Sequence, residues 1–337
     1  MSITDARQIS PADDRLRWPG AISLQSDQTG VRPWRLPHDQ LGLFDEGLVS
    51  RAGMPAGVRL TFASDTRTVA GTIARSEESA PIDLVIDGRL HASLPLADRT
   101  EFSFEDLPAG PKTIELWLPQ YGPFTLSELH LSADATLEPA VAQQPRWIAY
   151  GSSITQCKDA ASPTRTWPAI VARELGFDLT CLGYGGQCHL DPSVARLMRD
   201  RPADYISVCA GINIYGGGSL SPRTFRPALI GFLQILRETH VDIPIAVMSP
   251  IFSPARETTL NTAGFTLEAM RTEVQAAVDA LTRAGDTDLH YIDGLQVIGS
   301  EHAERLPDDL HPDAEGYQLM AQRYLDQVRT TIFAPRG

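Results

Sequence analysis

The sequence predicts two domains of different class: an all-β sandwich or jelly roll over residues 1–135, and an α/β domain with a parallel sheet over residues 146–337. Apolar and polar residues alternate with a period of two from about Val58 to Ala133, which is typical of half-buried antiparallel strands. Further along the chain, short apolar segments alternate with amphipathic helical segments, which predicts three layers with the sheet in the middle. With 337 residues, 42% of them hydrophobic, the chain can bury two cores.

The first domain is predicted from five alternating segments: VRLTF, IDLVIDGRLHASL, EFSFEDL, KTIELWL and SELHLS. Asp87-Gly88 lies between two alternating runs and fits a tight hairpin turn, because glycine accepts the positive φ that such a turn requires. No segment with a helical period interrupts this region, so we expect strands. The segment ADATLEPAVAQQP shows neither period, and residues 136–145 within it are predicted to be the linker.

The second domain is predicted from five strand segments: RWIAY, FDLTCLGY, DYISVCAG, IPIAVMSP and LHYIDG. Its first helix is expected to begin near Thr166, whose hydroxyl can cap it, and to end before Gly176. Two further helices are expected over residues 266–281 and 314–331, where apolar residues recur on one face. Sheets of this kind bind ligands at the carboxyl ends of their strands, so functional residues are expected at that edge.

The charge and composition exclude several function classes. The chain carries 42 acidic and 29 basic residues, for a formal charge of −13, whereas a surface that binds nucleic acid or an anionic membrane needs an excess of basic residues. No apolar run approaches the roughly 20 residues of a membrane-spanning helix. The N-terminal residues show no signal-peptide layout. We therefore expect a soluble, cytoplasmic protein without nucleic-acid or membrane partners.

The four cysteines form no CxxC pair, so neither a zinc site nor a thioredoxin-type site is expected, and no metal or other cofactor is predicted. We interpret them as mostly buried thiols. A disulfide between Cys157 and Cys188 stays open, because both are predicted to lie near one site.

Four segments with glycine or polar residues follow strands at the predicted edge: YGSSIT, LGYGGQCH, AGINIYGGG and LPDDLHPDAEGY. Each has an ordinary explanation by itself, since such residues are common in turns and helix caps. Together they contain every part that acyl transfer at a serine requires. These parts are a hydroxyl nucleophile, an imidazole base, a carboxylate that orients the imidazole, and N–H donors for the oxyanion.

In this order the four segments resemble the sequence blocks of the SGNH (GDSL-type) serine hydrolases, a family with a three-layer, flavodoxin-like α/β/α fold. The resemblance covers about residues 146–337. It implies a nucleophile, an oxyanion glycine, an oxyanion asparagine, an acid and a base, in chain order: Ser153, Gly186, Asn213, Asp308 and His311. The backbone N–H of the nucleophile is the third implied oxyanion donor. Gly185 stays open as the alternative to Gly186.

Three positions depart from the family pattern. Ser152 stands where the family usually has an acid, Cys181 where it has an asparagine, and Ile214 where it has a second acid. None of these changes removes a reacting group, so the triad implied by the resemblance is complete. They weaken the transfer of a substrate class from better-known members.

The resemblance implies a serine esterase that hydrolyses short-chain acyl esters, acetyl esters above all, through an acyl-enzyme. A sandwich before a hydrolase domain is similar to the layout of some carbohydrate esterases, so the expected substrate is an ester of a sugar or another small molecule. Two alternatives stay open: an acyltransferase that uses the same acyl-enzyme, and a catalytically inactive glycan-binding protein.

Two groups of side chains receive more local predictions. Four residues on the two oxyanion loops are predicted to line the substrate pocket: Tyr184, Gln187, His189 and Tyr215. Three aromatic residues of the first domain are interpreted as core, with a wall of the substrate cleft as the alternative: Trp117, Tyr121 and Phe124.

Overall fold

The computed structural model describes residues 6–141 and 143–333, which form two compact units. The first unit is made of the described residues of Met1–Gly42, Val49–Gln144 and Ser162–Thr164, and the second of those of Leu43–Leu48, Pro145–Ala161 and Arg165–Gly337. The predicted domain bounds of 1–135 and 146–337 stay predictions, because a compact unit is not the same as a segment that folds on its own.

The first unit is an antiparallel β-sandwich, as predicted. Its strands are β1 (Ala6–Ile9), β2 (Ser23–Asp27), β3 (Gly30–Trp34), β4 (Arg59–Ser64), β5 (Val69–Ile73), β6 (Ile82–Ile86), β7 (Arg89–Leu94), β8 (Glu101–Phe104), β9 (Lys112–Trp117) and β10 (Leu126–Ser132). One sheet has the order β2-β3-β10-β5-β8, with β1 also paired to β10, and the other has the order β4-β9-β6-β7. Inward side chains of both sheets, such as Phe62 and Leu129, share one buried core.

Sequence periodicity found β4 and β6 to β10, and it missed β1, β2, β3 and β5. Strands β1 to β3 have four or five residues each, and most side chains of β1 and β2 are exposed or half-buried. Alternation is therefore weak in them. The hairpin between β6 and β7 is confirmed, since Asp87 and Gly88 have φ of 48° and 75°, both in the left-handed region that this tight turn requires.

The segment predicted as the linker packs over part of its length against the first unit. Leu137 is buried in the sandwich core, and Glu138 exchanges two backbone hydrogen bonds with Ala63.

The core interpretation of the aromatic residues is confirmed for Trp117 and Phe124, which are 2% and 3% exposed.

The second unit contains a five-stranded parallel sheet in the order β12-β11-β13-β14-β15. Its strands are β11 (Arg146–Gly151), β12 (Asp178–Gly183), β13 (Tyr205–Cys209), β14 (Ile245–Met248) and β15 (Leu289–Ile292). This flavodoxin-like order confirms the predicted fold class. The order reverses beside β11, so a crevice is expected at the carboxyl ends of β11, β12 and β13.

Helices connect the strands of the second unit. The α-helices of the described chain are α1 (Glu46–Ala52), α2 (Ser153–Gln156), α3 (Trp167–Leu175), α4 (Pro192–Arg199), α5 (Ile212–Gly217), α6 (Phe225–Arg237), α7 (Leu267–Arg283), α8 (Gly294–Val297) and α9 (Ala314–Val328). Short 3₁₀ segments cover Leu41–Leu43, Pro163–Arg165, Pro254–Arg256 and Ser300–Arg305. The predicted caps of α3 are confirmed: the Thr166 hydroxyl accepts from the Ala169 N–H, and Gly176 has a φ of 68°.

Among the described residues, no helix combines the length and the apolar composition that crossing a membrane would require.

Candidate active site

The segment after β11 places a serine at the first turn of α2. The backbone at Gly151 lies close to α2, since a Cβ atom on this residue would collide with the Thr155 hydroxyl. Ser152 is the N-cap, and its side chain accepts from the Ile154 N–H at 3.2 Å. Ser152 therefore caps the helix at the position where the family usually carries an acid, and Ser153 is the residue with a half-buried, accessible side chain.

The loop before α9 brings an imidazole to this serine. The Oγ atom of Ser153 lies 2.8 Å from Nε2 of His311, although the two residues are 158 positions apart. The Nδ1 atom of His311 lies 2.6 Å from Oδ2 of Asp308. Because a carboxylate only accepts, Nδ1 carries the proton, and the Nε2 lone pair faces the serine hydroxyl.

The Asp308 carboxylate is held by its own loop. Its Oδ1 atom accepts from the backbone N–H groups of His311 at 2.7 Å and Leu310 at 3.1 Å. Burial raises the pKa of Asp308, but the hydrogen bonds from the ring and the backbone of His311 outweigh it, so the pKa lies below its ordinary value. The carboxylate is consequently ionised wherever the imidazole can act as a base.

Two residues that sequence reasoning missed anchor this loop from outside. Asp309 has a φ of 60°, and its carbonyl accepts from the Ser253 hydroxyl at 2.6 Å and from Arg256 Nη1 at 3.1 Å. Ser253 and Arg256 follow β14 and carry no motif of their own. Their contribution depends on a contact with a residue more than 50 positions away, which local sequence patterns do not report.

The turn after β12 leaves one N–H group unengaged. Residues 184–187 form a β-turn closed by the Gln187 N–H and the Tyr184 carbonyl at 2.9 Å, with Gly186 at a φ of 75°. The Gly185 N–H donates to Oε1 of Gln156 at 2.9 Å. Within the described chain, the Gly186 N–H has no acceptor, so of the two open glycines Gly186 keeps its donor available.

Asn213 lies in the first turn of α5, beside the same loop. Its Oδ1 atom accepts from the Cys188 N–H at 3.0 Å, which fixes the orientation of the carboxamide. Its Nδ2 group has no acceptor among residues 6–141 and 143–333, and the same holds for the Ser153 N–H at the start of α2. The three predicted oxyanion donors are therefore unengaged donors in the described structure.

The structure corrects two of the four pocket predictions. Tyr184 is fully buried and packs edge-on against Tyr150, with ring centroids 6.5 Å apart. Tyr215 is 8% exposed, and its hydroxyl donates to the Thr259 carbonyl at 2.9 Å. Burial of these aromatic rings is favourable, and it leaves neither side chain with a surface for a substrate.

Gln187 and His189 are half-buried. A Cβ atom on Gly47 would lie 2.6 Å from Nε2 of Gln187, so the bare backbone in the first turn of α1 makes room for this amide. Gln187 thus stays a predicted pocket residue. Both ring nitrogens of His189 are engaged within the protein, Nδ1 with the Ser219 hydroxyl and Nε2 with the Gly186 carbonyl.

The cysteines are free thiols, so the open disulfide between Cys157 and Cys188 is wrong. Burial raises the pKa of Cys157 well above its ordinary value and that of Cys188 to about 12. Neither thiol is ionised near neutral pH, and neither rivals Ser153 as a nucleophile. The interpretation as buried thiols is confirmed for Cys157, Cys181 and Cys188.

A small, mostly apolar pocket is lined by residues that neighbour the serine and the histidine in the sequence. Its lining includes Ser152 and Ile154, which flank Ser153, and Leu310, which precedes His311. The rest of the lining comes from the ends of β13 and β14 and the segments that follow them: Cys209, Ala210, Ile212, Met248, Ser249, Pro250 and Ile251, with Thr155 from α2. Sequence reasoning missed these residues, because apolar positions at strand ends look like ordinary core.

Comparisons with known proteins agree with this fold. The family model for GDSL-like lipases/acylhydrolases matches residues 144–329, and the model for the SsfX3 N-terminal domain matches residues 16–127. The first match covers more than half of the chain, so the chain belongs to the GDSL-like lipase/acylhydrolase family. The predicted resemblance is thereby confirmed. A comparison with curated proteins found no match.

Solved structures extend the similarity to the whole chain. The salicylyl-acyltransferase SsfX3 from a tetracycline biosynthetic pathway is 35% identical, with 98% of this chain and 99% of that chain covered and a TM-score of 0.90. A putative GDSL-like lipase from Bacteroides ovatus is 20% identical, with 96% and 97% covered and a TM-score of 0.80. A family two carbohydrate esterase from Clostridium thermocellum is 15% identical, with 94% and 98% covered and a TM-score of 0.66. The last two similarities concern the fold alone.

Proposed function

We propose that this protein is a serine esterase that cleaves short-chain acyl esters through an acyl-enzyme on Ser153. One observation carries the proposal: Ser153 Oγ lies 2.8 Å from His311 Nε2, while His311 Nδ1 lies 2.6 Å from Asp308 Oδ2. These distances let a serine hydroxyl lose its proton to an imidazole whose tautomer and orientation a carboxylate maintains.

In the first half of the reaction, His311 accepts the hydroxyl proton as Ser153 Oγ attacks the ester carbonyl. The negative charge that develops on the carbonyl oxygen is stabilised by three donors, the backbone N–H groups of Ser153 and Gly186 and the Nδ2 group of Asn213. The tetrahedral intermediate then collapses, and His311 gives the proton to the departing alcohol oxygen. An acyl ester of Ser153 remains.

In the second half, a water molecule takes the place of the alcohol. His311 removes a proton from this water as its oxygen attacks the acyl carbonyl, and the same donors stabilise the second intermediate. Collapse of that intermediate breaks the bond to Ser153 Oγ, which recovers its proton from the imidazolium. The products are a free carboxylic acid and the starting enzyme.

The small, mostly apolar pocket lined by sequence neighbours of Ser153 and His311 supports a small apolar acyl group. Its apolar lining, which includes Met248 and Ile251, favours a hydrocarbon acyl group over a charged one, since a charge would lose its hydration without a partner. We propose acetyl or another short chain. The alcohol part is proposed to be a sugar or another small molecule, by fold similarity to the carbohydrate esterase.

A chain-length series of nitrophenyl esters tests this proposal. Wild type should hydrolyse the short-chain esters fastest, and Ser153→Ala should lower kcat by about 10⁴-fold or more, because triad members act as a unit. Ser152→Ala is the matched control for loss of a neighbouring hydroxyl, with an expected loss of at most about tenfold from a weakened helix cap. Equal hydrolysis by wild type and Ser153→Ala would refute the mechanism.

A second candidate function is acyl transfer to an alcohol acceptor instead of water. The full-length 35% identity to a salicylyl-acyltransferase favours it, and the acyl-enzyme on Ser153 would be the same. The two functions differ only in the fate of that acyl group. Product analysis with alcohol or sugar acceptors decides between them: an acyltransferase forms the new ester in preference to the free acid, whereas an esterase forms mainly the acid.

The remaining alternative, an inactive glycan-binding protein, predicts that a fluorophosphonate probe leaves Ser153 unlabelled while the full chain binds glycans. The proposed mechanism predicts stoichiometric labelling in wild type and none in Ser153→Ala. Mass spectrometry of the intact protein measures both.

A further inference from the structure

The His189 ring makes two hydrogen bonds inside the protein that the reaction scheme does not use. Its Nε2 atom lies 3.1 Å from the Gly186 carbonyl oxygen, and its Nδ1 atom lies 2.8 Å from the Ser219 hydroxyl. A carbonyl oxygen only accepts, so Nε2 carries a proton and donates it. The Ser219 hydroxyl donates to Nδ1 when the ring is neutral and accepts from it when the ring is charged. Both contacts are compatible with either charge state.

The first contact acts on a turn that is free to change conformation. The Gly186 N–H belongs to the central peptide of the turn over residues 184–187, and a φ of 75° at Gly186 is the value of the third position of a type II turn. Glycine populates positive and negative φ about equally, and two glycines occupy the central positions here. The direction of the Gly186 N–H therefore depends on the contacts that hold this turn in place.

The hydrogen bond from His189 holds the peptide that follows Gly186. This peptide joins the Gly186 carbonyl to the Gln187 N–H that closes the turn, so the bond fixes the position of the turn. The Gly185 N–H is held separately by Gln156 Oε1 at 2.9 Å. The polar groups on both sides of the Gly186 N–H are therefore bonded, while the N–H itself is left for a ligand.

The contact with Ser219 joins this turn to the segment after α5, the helix that carries the Asn213 donor. A Cβ atom on Gly217 would lie 3.1 Å from Cε1 of His189, so the ring lies close to bare backbone at the end of α5. Helix α5 also carries Asn213, whose Oδ1 accepts from the Cys188 N–H at 3.0 Å. The ring and this hydrogen bond together connect the two loops that carry oxyanion donors.

We propose that His189 is a positioning residue that anchors the turn carrying Gly186 to the segment after α5 and so keeps the Gly186 N–H aimed at the oxyanion. The proposal rests on the proposed acyl-transfer function and assigns His189 no contact with the substrate, in place of the pocket role predicted from the sequence. A change of the His189 side chain therefore tests the role of the Gly186 N–H, a backbone group that side-chain substitution cannot remove directly.

Steady-state kinetics with a short-chain nitrophenyl ester test the proposal on His189→Ala and His189→Gln. Oxyanion donors act in the transition state, so His189→Ala should lower kcat by about 10- to 100-fold, less than the 10²–10³ expected for a donor lost outright, with KM within about twofold. Glutamine has an N–H donor at a similar reach, so His189→Gln should recover most of kcat. Ser219→Ala should fall between wild type and His189→Ala.

His240 offers a matched control. His240 follows the end of α6, and its Nε2 atom makes the same kind of bond, to the Met198 carbonyl at 2.9 Å. His240→Gln should keep kcat within about twofold of wild type. Thermal unfolding of every variant establishes that the compared samples are folded.

The outcomes separate this proposal from the function on which it rests. If wild type shows no Ser153-dependent turnover, the proposed function fails and this proposal fails with it. If wild type is active, the positioning role is overturned by unchanged kcat in His189→Ala, by a rise in KM alone, or by His189→Gln no better than His189→Ala. A rise in KM alone would mean that the ring binds substrate.

Discussion

Two aspartates, one in each unit, hold loops in place by similar numbers of hydrogen bonds. In the first unit, Oδ2 of Asp83 accepts from the hydroxyls of Ser162 and Thr164, each at 2.6 Å, and from the Thr164 N–H at 2.9 Å. In the second unit, Asp308 accepts two backbone N–H groups and the Nδ1–H of His311. Asp83 is fully buried, whereas the Asp308 side chain is 54% exposed.

The difference shows what separates a structural carboxylate from a candidate catalytic one. All donors to Asp83 are hydroxyl or backbone groups that stay protonated, and its Oδ1 atom has no partner in the described part of the chain. Burying such a charge costs free energy that the three bonds must offset. Asp308 instead bonds to a ring whose other nitrogen can exchange a proton with Ser153. The chemistry depends on the partner of the carboxylate, and stability depends on its burial.

Among the changes that test this contrast, Asp308→Asn has the largest expected effect. The amide keeps the shape of the side chain but cannot hold the imidazole as the Nδ1–H tautomer, so kcat should fall by about 10³–10⁴. Because the side chain is largely exposed, the unfolding temperature should change little. Ester hydrolysis and thermal denaturation measure the two quantities. A large loss of stability with normal kcat would reverse the assigned roles of the two aspartates.

Asn213→Ala has the next largest expected effect. It removes one proposed oxyanion donor together with the acceptor for the Cys188 N–H, and kcat should fall by about 10²–10³. KM should change much less, because the donor acts on charge that exists only in the transition state. Wild-type kcat in a folded Asn213→Ala variant would exclude this side chain from the oxyanion site.

The same isosteric change in the first unit, Asp83→Asn, should act on stability. Loss of the charged acceptor weakens three bonds in a fully buried place, so the free energy of unfolding should fall by about 1–3 kcal/mol. The kcat of the folded fraction should stay within about twofold of wild type. Urea denaturation followed by kinetics in native buffer measures both, and a fall in kcat without loss of stability would contradict the contrast with Asp308.

Ser162→Ala is expected to have the smallest effect, about 0.5–1.5 kcal/mol in unfolding free energy, because it removes one of the three donors to Asp83. In the double variant with Asp83→Asn the two losses should not add, since both changes break the same bond. Additive losses by urea denaturation would mean that the hydroxyl stabilises the loop by another contact.

Local sequence determined much of this protein. The period-two alternation predicted most strands of the sandwich, and Asp87-Gly88 predicted its hairpin. Thr166 and Gly176 predicted both ends of α3. The spacing of Asp308 and His311 placed a carboxylate and an imidazole on one short loop, where the carboxylate reaches a ring three residues later. These features depend on contacts within a few residues, so the residues themselves carry the information.

Tertiary structure alone decided the contacts between distant segments. It brought His311 to Ser153, bonded the Gly185 N–H to Gln156 and left that of Gly186 unengaged, and turned Tyr184 into the core. It also placed the His189 ring between the turn that carries Gly186 and the segment that follows α5, the helix of Asn213. The sequence alone does not indicate this placement. A side chain's hydrogen bonds and burial depend on which groups the fold sets beside it. The long-range contacts named here join residues that lie between 29 and 158 positions apart in the chain.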